Sequence, residues 1–281
     1  MINQKVLVSD AKHFALDAHI NPYYGAGELD RVKAEREHAE VTAAFERAGI
    51  EVVRVPSPEG SQDGIYTANW ALVYGNKAVM ARLPEVRKAE ETYAEKTLLD
   101  LGFEVHRVPE DWLFSGQGDA LICGDFLLAG SGYRSDVRAQ KFVAETLGLE
   151  LVQLHAVPEM ADDMPVVNET TGLNDSFFYD LDLAVAVIDE KTIAVCMEAL
   201  DEESQQKVLA LPLEKIFVSM DEARNGFALN MVSTGETVIM SAHAPEFAEK
   251  LRERGLKLEL LDITELVKGG GFIRCVSLTL A

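Results

Sequence analysis

A two-strand hairpin recurs along this chain every fifty residues or so, and similar segments follow it each time. ALVYGNKAVMARL (71–83) reads as two apolar runs joined at Gly75-Asn76, a hairpin turn pair. The pattern returns as ALICGDFLLAGSG (120–132), turning at Gly124-Asp125, as AVAVIDEKTIAV (184–195) and as ALNMVSTGETVIMS (228–241). An Ala/Glu/Lys-rich stretch with helical spacing comes next, at 85–101, 136–147, 201–210 and 245–254. Each unit closes on a short strand, often announced by a helix-ending glycine: GFEVHRVP, GLELVQLH, LEKIFVSM and GLKLELLDI. The two ends supply a fifth unit. KVLVSD (5–10) is a strand, 30–48 is helical, GIEVVRVP (49–56) is the closing strand, and FIRCVSLTLA (272–281) is the missing hairpin partner. Pairing the last strand with the first would close a ring and cover two open sheet edges.

The expected architecture is therefore α/β: five ββαβ units around a pseudo-fivefold axis, in a single domain over 1–281. A doubly wound parallel sheet predicts one strand per helix, whereas three accompany each helix here. GSGYRSD (130–136) lacks the spacing of a dinucleotide loop, GGGFIRC leads into a strand, and no P-loop occurs, which excludes the usual nucleotide sites. Two stretches stand outside the repeat, 12–30 with INPYYGAGE and 156–177 with PEMADDMPVVNETTGLND. Long loops beside a rigid scaffold often cover ligand sites.

Forty-seven acidic against 26 basic residues give a formal charge of −21. Such a surface repels nucleic acid and anionic lipid and attracts cations, although the acids would also serve solubility alone. No apolar run approaches the roughly 20 residues of a membrane helix, and the N-terminus lacks a secretory core. Three widely spaced cysteines (Cys123, Cys196 and Cys275) argue against a disulfide framework or a Cys-cluster zinc site. The expectation is a cytoplasmic protein with no metal and no cofactor. It would bind a small cationic molecule and engage neither nucleic acid nor membrane, with a homo-oligomer left open.

Cys275 follows Gly269-Gly270-Gly271 and stands beside Arg274. Glycines let a ligand approach the main chain, and a neighbouring guanidinium favours the nucleophilic thiolate. The plainer reading is a small core cysteine on the last strand. Polar residues lead into each hairpin: DGIYTAN (63–69), SGQGD (115–119), YDLD (179–182), the 225–230 segment ending in Asn230, and GGGFIRC. Equivalent segments around an axis would meet at its centre. Carboxylates, amides and a thiol sharing one cavity would suit a guanidinium, which is planar, always charged and bound by paired acceptors. The alternative is that these are turn and cap residues on a rim.

INP (20–22), DGIYTANWALV (63–73), FSGQGDAL (114–121), GYRSD (132–136), FYDLD (178–182), ALN (228–230) and GGGFIRC (269–275) together resemble the pentein superfamily of guanidine-modifying enzymes. These five-bladed α/β propellers include arginine deiminases, arginine dihydrolases and dimethylarginine dimethylaminohydrolases. The resemblance covers nearly the whole chain. It implies that Cys275 is the nucleophile that attacks the guanidinium carbon and forms a covalent thiouronium. Asp63, Asn69, Asp119 and Asp182 would line the guanidinium pocket. Arg82 and Arg134 would hold an α-carboxylate, Asn21 would lie over the site, and Asn230 would contact substrate. The implied activity is hydrolysis, or amidine transfer, at the guanidino group of arginine or a similar amino acid.

Two positions depart from the family pattern. Asp180 stands where a proton-shuttling histidine is usual, and Ser115 stands at or near the place of that histidine's glutamate partner. Asp180 could itself act as acid and base. His19 or His155 could substitute. Or the site could bind an arginine-like ligand or a protein partner without turnover. Cys123 and Cys196, in apolar strand patterns, are expected to be inert.

Overall fold

The computed structural model describes residues 2–24 and 27–281. Its elements run β1 (Lys5–Ser9), α1 (Arg31–Arg47), β2 (Glu51–Val55), β3 (Ala71–Tyr74), β4 (Lys77–Met80), α2 (Lys88–Asp100), β5 (Glu104–Arg107), β6 (Ala120–Cys123), β7 (Phe126–Ser131), α3 (Val137–Leu147) and β8 (Glu150–His155). Then follow β9 (Met160–Ala161), β10 (Met164–Pro165), β11 (Val185–Val187), β12 (Thr192–Val195), α4 (Glu202–Ala210), β13 (Glu214–Phe217), α5 (Met220–Arg224), β14 (Val232–Ser233), β15 (Thr237–Ser241), α6 (Pro245–Glu253), β16 (Lys257–Leu261) and β17 (Leu278–Thr279).

Five three-stranded sheets share one plan: β3-β4-β5, β6-β7-β8, β11-β12-β13, β14-β15-β16 and β17-β1-β2. In each, an antiparallel pair comes first and a parallel strand closes the sheet across a helix. Leu72 pairs with Val79, which pairs in turn with His106. In the fifth, Leu7 pairs with Leu278 across nearly the whole sequence and with Val53 on its other side. The middle strands are apolar on both faces, as at Ala78-Val79-Met80 and Ile193-Ala194-Val195, because a helix covers one face and neighbouring sheets the other.

Helix boundaries follow local chemistry. Asp30 caps α1 by accepting from the Lys33 amide, Asp136 and Asp201 do the same for α3 and α4, and α6 begins on Pro245. The apolar face of α1 (Ala34, Val41, Ala44, Phe45) packs inward. Glu37 shares that face, and its carboxylate accepts from the amides of Thr264, Glu265 and Leu266. Those contacts anchor the turn that feeds Gly269–Gly271.

Three local expectations are corrected. The C-terminal strand is only Leu278–Thr279, so Cys275 lies in the tight turn before it rather than on a strand. The closing strand of the third unit stops at Phe217, where Ser219 caps the short α5. The 156–177 stretch contains the small hairpin β9-β10, turned by Asp162 and Asp163 at positive φ. No helix among the described residues is long and apolar enough to cross a membrane.

Candidate active site

The segments entering the first strands are short 3₁₀ turns, Thr67–Trp70, Gly116–Gly118 and Leu181–Leu183, and they bring polar side chains to a common centre. Cys275, only 2% exposed, sits there. Its Sγ accepts from Asn230 Nδ2 at 3.1 Å and donates to Asp182 Oδ2 at 3.4 Å. Asn230 Oδ1 in turn accepts from the amides of Phe272 (3.1 Å), Arg274 (3.1 Å) and Cys275 (3.2 Å), which holds the turn closed around the sulfur.

Asp180 Oδ2 accepts from Asn69 Nδ2 at 2.8 Å and lies 3.9 Å from Arg134. Asp119 Oδ1 accepts from the Leu181 amide at 3.0 Å. One oxygen of each carboxylate, Asp119 Oδ2, Asp180 Oδ1 and Asp182 Oδ1, is buried with no hydrogen-bond partner. Unpaired buried acceptors are costly, so three together mark a place made for donors.

Burial sets the electrostatics. It pushes Asp182 up to about 8, with the Asp180 charge adding to the effect and Arg274 opposing it. Asp119 is held well above the carboxylate range by burial and then by Asp180. The Cys275 thiol is also raised, by burial and by Asp182 and Asp180, while the Phe272 amide and Asn230 oppose the rise. The charge of Arg274 and that of a Cys275 thiolate favour one another, as expected from their adjacency, but without a hydrogen bond to the sulfur among the described residues. Its guanidinium donates to Ser277 O and Gln117 Oε1, both at 2.8 Å, and braces the turn instead.

Close backbone approach explains two glycines. A Cβ on Gly118 would fall 2.6 Å from Asp180 Oδ2 and 2.5 Å from Asn69 Nδ2. Gly270, at φ +88°, passes between Asn21 and Tyr179, and a Cβ there would lie 2.6 Å from Asn21. Asn21 donates to Gly269 O at 3.0 Å and the Tyr179 hydroxyl to Gly270 O at 2.8 Å.

Not every expected residue faces this centre in the same way. Asp63 is satisfied by Tyr24 (2.5 Å) and Gln62 (3.1 Å), and burial raises it. Asn69 is fully engaged, with its amide nitrogen on Asp180 and Ser115 and its oxygen on Arg87 at 2.8 Å. Asn230, expected to contact substrate, is instead occupied by the chain around Cys275. Arg134 stacks 4.0 Å over Tyr179 and donates to Ile20 O at 3.1 Å, close to Asp180. Arg82 is not brought to it among the described contacts. Its guanidinium binds Glu91 at 2.8 Å and Val108 O at 2.8 Å. The arginine that does reach the 63–69 segment is Arg87, which the sequence reading missed. Fully buried, it donates to Asn69 Oδ1, Asp63 O and both oxygens of Glu90. Its i,i+3 spacing to Glu90 was the available signal.

Neither histidine candidate contacts Cys275 among the described residues. His155 stacks on Tyr133 (5.9 Å) and His19 lies against Tyr24 (5.6 Å). The two long loops meet over the site. Tyr23 donates to Phe177 O at 3.1 Å and packs edge-on against its ring at 5.0 Å. Between them runs a cleft of about 590 Å³, lined by Asp17, His19, Asn21, Tyr24, Asn168 and Asp175. Above Arg134 only about 10 Å³ is open beneath Thr171–Asp175, room for at most one water.

Over residues 14–280 the chain matches the family described as N,N dimethylarginine dimethylhydrolase, eukaryotic. It is 33% identical over 269 residues to the N(G),N(G)-dimethylarginine dimethylaminohydrolase of Mycobacterium tuberculosis, covering 94% of this chain and 82% of that one. It is 28% identical over 281 residues to the bifunctional arginine dihydrolase/ornithine cyclodeaminase ArgZ of Synechocystis, covering 98% of this chain but 37% of that longer protein. The solved N-terminal domain of ArgZ bound to product superposes with a TM-score of 0.88 at 27% identity, covering 99% of this chain and 97% of that one.

Proposed function

The chain belongs to the N,N-dimethylarginine dimethylhydrolase family, and on that premise we propose that it hydrolyses the guanidino group of arginine or an N-methylated arginine through a covalent adduct on Cys275. The five sheets are the blades of one propeller domain, with the polar centre on its axis. The observation that carries the reading is the set of three unpartnered carboxylate oxygens around a thiol. A guanidinium offers five N–H donors in a plane and a permanent positive charge, and it answers both the hydrogen-bond deficit and the charge.

A guanidinium supplies what these residues lack among themselves. A cation among Asp119, Asp180 and Asp182 favours every ionised form, including the thiolate. The thiol proton passes to Asp182 Oδ2, 3.4 Å away, and Sγ adds to the guanidinium carbon. Protonation of the departing nitrogen from the Asp182–Asp180 pair expels an amine and leaves a thiouronium. Water adds to its carbon, Asp180 takes the proton, and the C–S bond breaks to release a ureido product. Asp180 replaces histidine with its polarity inverted. A histidine needs an acceptor such as glutamate, whereas Asp180 needs a donor and a positive charge and has Asn69 as the one and Arg134, 3.9 Å away, as the other, with Ser115 accepting from Asn69. Arg134 would hold an α-carboxylate with segment 171–175 moved aside.

The test is incubation with arginine, asymmetric dimethylarginine and agmatine, with product read as ureido compound and released amine or ammonia. Turnover of an amino-acid substrate that vanishes in Cys275→Ala is the expected result. No product from any of them, together with Cys275 alkylation indifferent to all three, would sink the reading. Ligand protection without product would support the second reading, binding alone, which the absence of a histidine contact to Cys275 favours.

A further inference from the structure

We propose that Asn230 is a catalytic residue that holds the sulfur of Cys275 as a thiolate, by an amide whose orientation the fold leaves no freedom to reverse. The inference rests on the reading of Cys275 as nucleophile. The orientation follows from hydrogen-bond bookkeeping alone. Three partners of Asn230, the amides of Phe272, Arg274 and Cys275, are donors that can accept nothing, so the atom facing them must be Oδ1. Reversing the amide would set an NH₂ against three N–H groups and orphan all of them in a residue with no exposed surface. Nδ2 therefore points at Sγ, at 3.1 Å.

A donor at that place discriminates between the states of the sulfur. A thiol is a weak acceptor and a thiolate a strong one, because hydrogen bonds to ionised groups are roughly twice as strong as neutral ones. Every other titratable or charged neighbour works differently. Asp182 and Asp180 repel the thiolate. Tyr23, Tyr66 and Tyr179, whose own ionisation the sulfur disfavours, stand around it from three separate segments. Arg274 favours the thiolate by charge alone, since its guanidinium donates to Ser277 and Gln117. Asn230 is thus the side chain that donates directly to the sulfur, and its amide also favours the charged form of Asp182. In the reactive pair the S–H bond breaks and an O–H bond forms on Asp182. The amide keeps the negative charge on sulfur while that proton is held.

Asn230→Asp tests this cleanly. Its carboxylate keeps an acceptor for the three backbone amides but replaces the donor beside Sγ with a repelling oxygen. Alkylation of Cys275 by iodoacetamide across pH, with each cysteine resolved by peptide mass spectrometry, reads the thiol directly without substrate. The expected result is a midpoint at least one unit higher, hence about tenfold slower alkylation below it, in a variant that keeps its far-ultraviolet dichroism. A folded variant with the midpoint unchanged overturns the proposal. If the variant does not fold, the wild type decides. One side-chain amide resonance should titrate with the alkylation midpoint and lose that movement in Cys275→Ser, and a spectrum with no such resonance overturns the assignment. Failure of turnover with a shifted midpoint would count against the proposed activity and not against the role of Asn230.

Discussion

Two buried charge clusters lie side by side in this molecule and are built on opposite terms. Around Arg87 and Glu90 everything is paired. Both Glu90 oxygens accept from Arg87 and also from Ser61 and Trp70, and the remaining Arg87 donors go to Asn69 Oδ1 and backbone oxygens. Burial works against the Arg87 charge, but Glu90 and Asp63 outweigh it. Around Cys275, one step away through Asn69, three aspartates of the same burial each keep an unused oxygen. The first cluster is a closed network that fixes the 63–69 segment. The second leaves one oxygen of each aspartate unused, and these are the positions the proposed guanidinium would take. Buried charge serves architecture in the first and, on the proposed function, chemistry in the second.

The comparison is broken most severely by removing charge from the open cluster. Asp180→Asn keeps an acceptor for Asn69 but loses the proton-carrying group. We expect kcat to fall by roughly 10²–10⁴, the usual worth of acid–base help, with little change in thermal unfolding. An unchanged kcat would move the proton chemistry away from position 180. The same kind of edit in the closed cluster should act the other way. Glu90→Gln removes the carboxylate bonded to the Arg87 cation and leaves it only the charge of Asp63 in a dry site, and breaking a buried pair costs about 3–5 kcal/mol, read as a lower urea midpoint. A stable Glu90→Gln protein would mean that Arg87 does not depend on its charge partner.

The difference between the clusters also explains how much was legible in the sequence. Hairpin turns at Gly75-Asn76 and Gly124-Asp125, and caps such as Asp30 and Asp136, are local devices, so the repeat and its boundaries could be read directly. The meeting of Asp119, Asp182 and Cys275 was accessible because the repeat placed equivalent segments at one centre. What the repeat could not encode was which way each side chain turns once there. Arg82 and Arg87 lie five positions apart on one connection, and only packing decides that Arg82 goes to Glu91 while Arg87 goes inward. Arg274 adjoins Cys275 in sequence, but the tight turn sends its guanidinium to Gln117. The short length of the last strand was hidden for a related reason. The apolar run 272–281 has strand composition, but Asn230 gathers three of its amides that would otherwise join a ladder.

The finest test of the comparison is whether the open cluster is a thermodynamic burden in the absence of ligand. Asp119 retains its proton in the folded protein to a pH well above the ordinary carboxylate value of 3.8, through burial and the Asp180 charge, and Asp182 retains its own to about 8. In the unfolded chain both lose their protons near pH 4. Between those limits the unfolded state binds fewer protons than the folded one, so stability falls as pH rises from about 4 toward 8. Asp119→Asn removes one contributor while its amide oxygen can still accept from Leu181. The variant should therefore match the wild type near pH 4 and melt higher at pH 8. A gain of 1 kcal/mol would appear as roughly 2–4 °C by calorimetry, accompanied by lost turnover. A variant that melts lower at pH 8 would show Asp119 ionised and well paired in the free protein, and the open cluster would then be no less settled than the closed one.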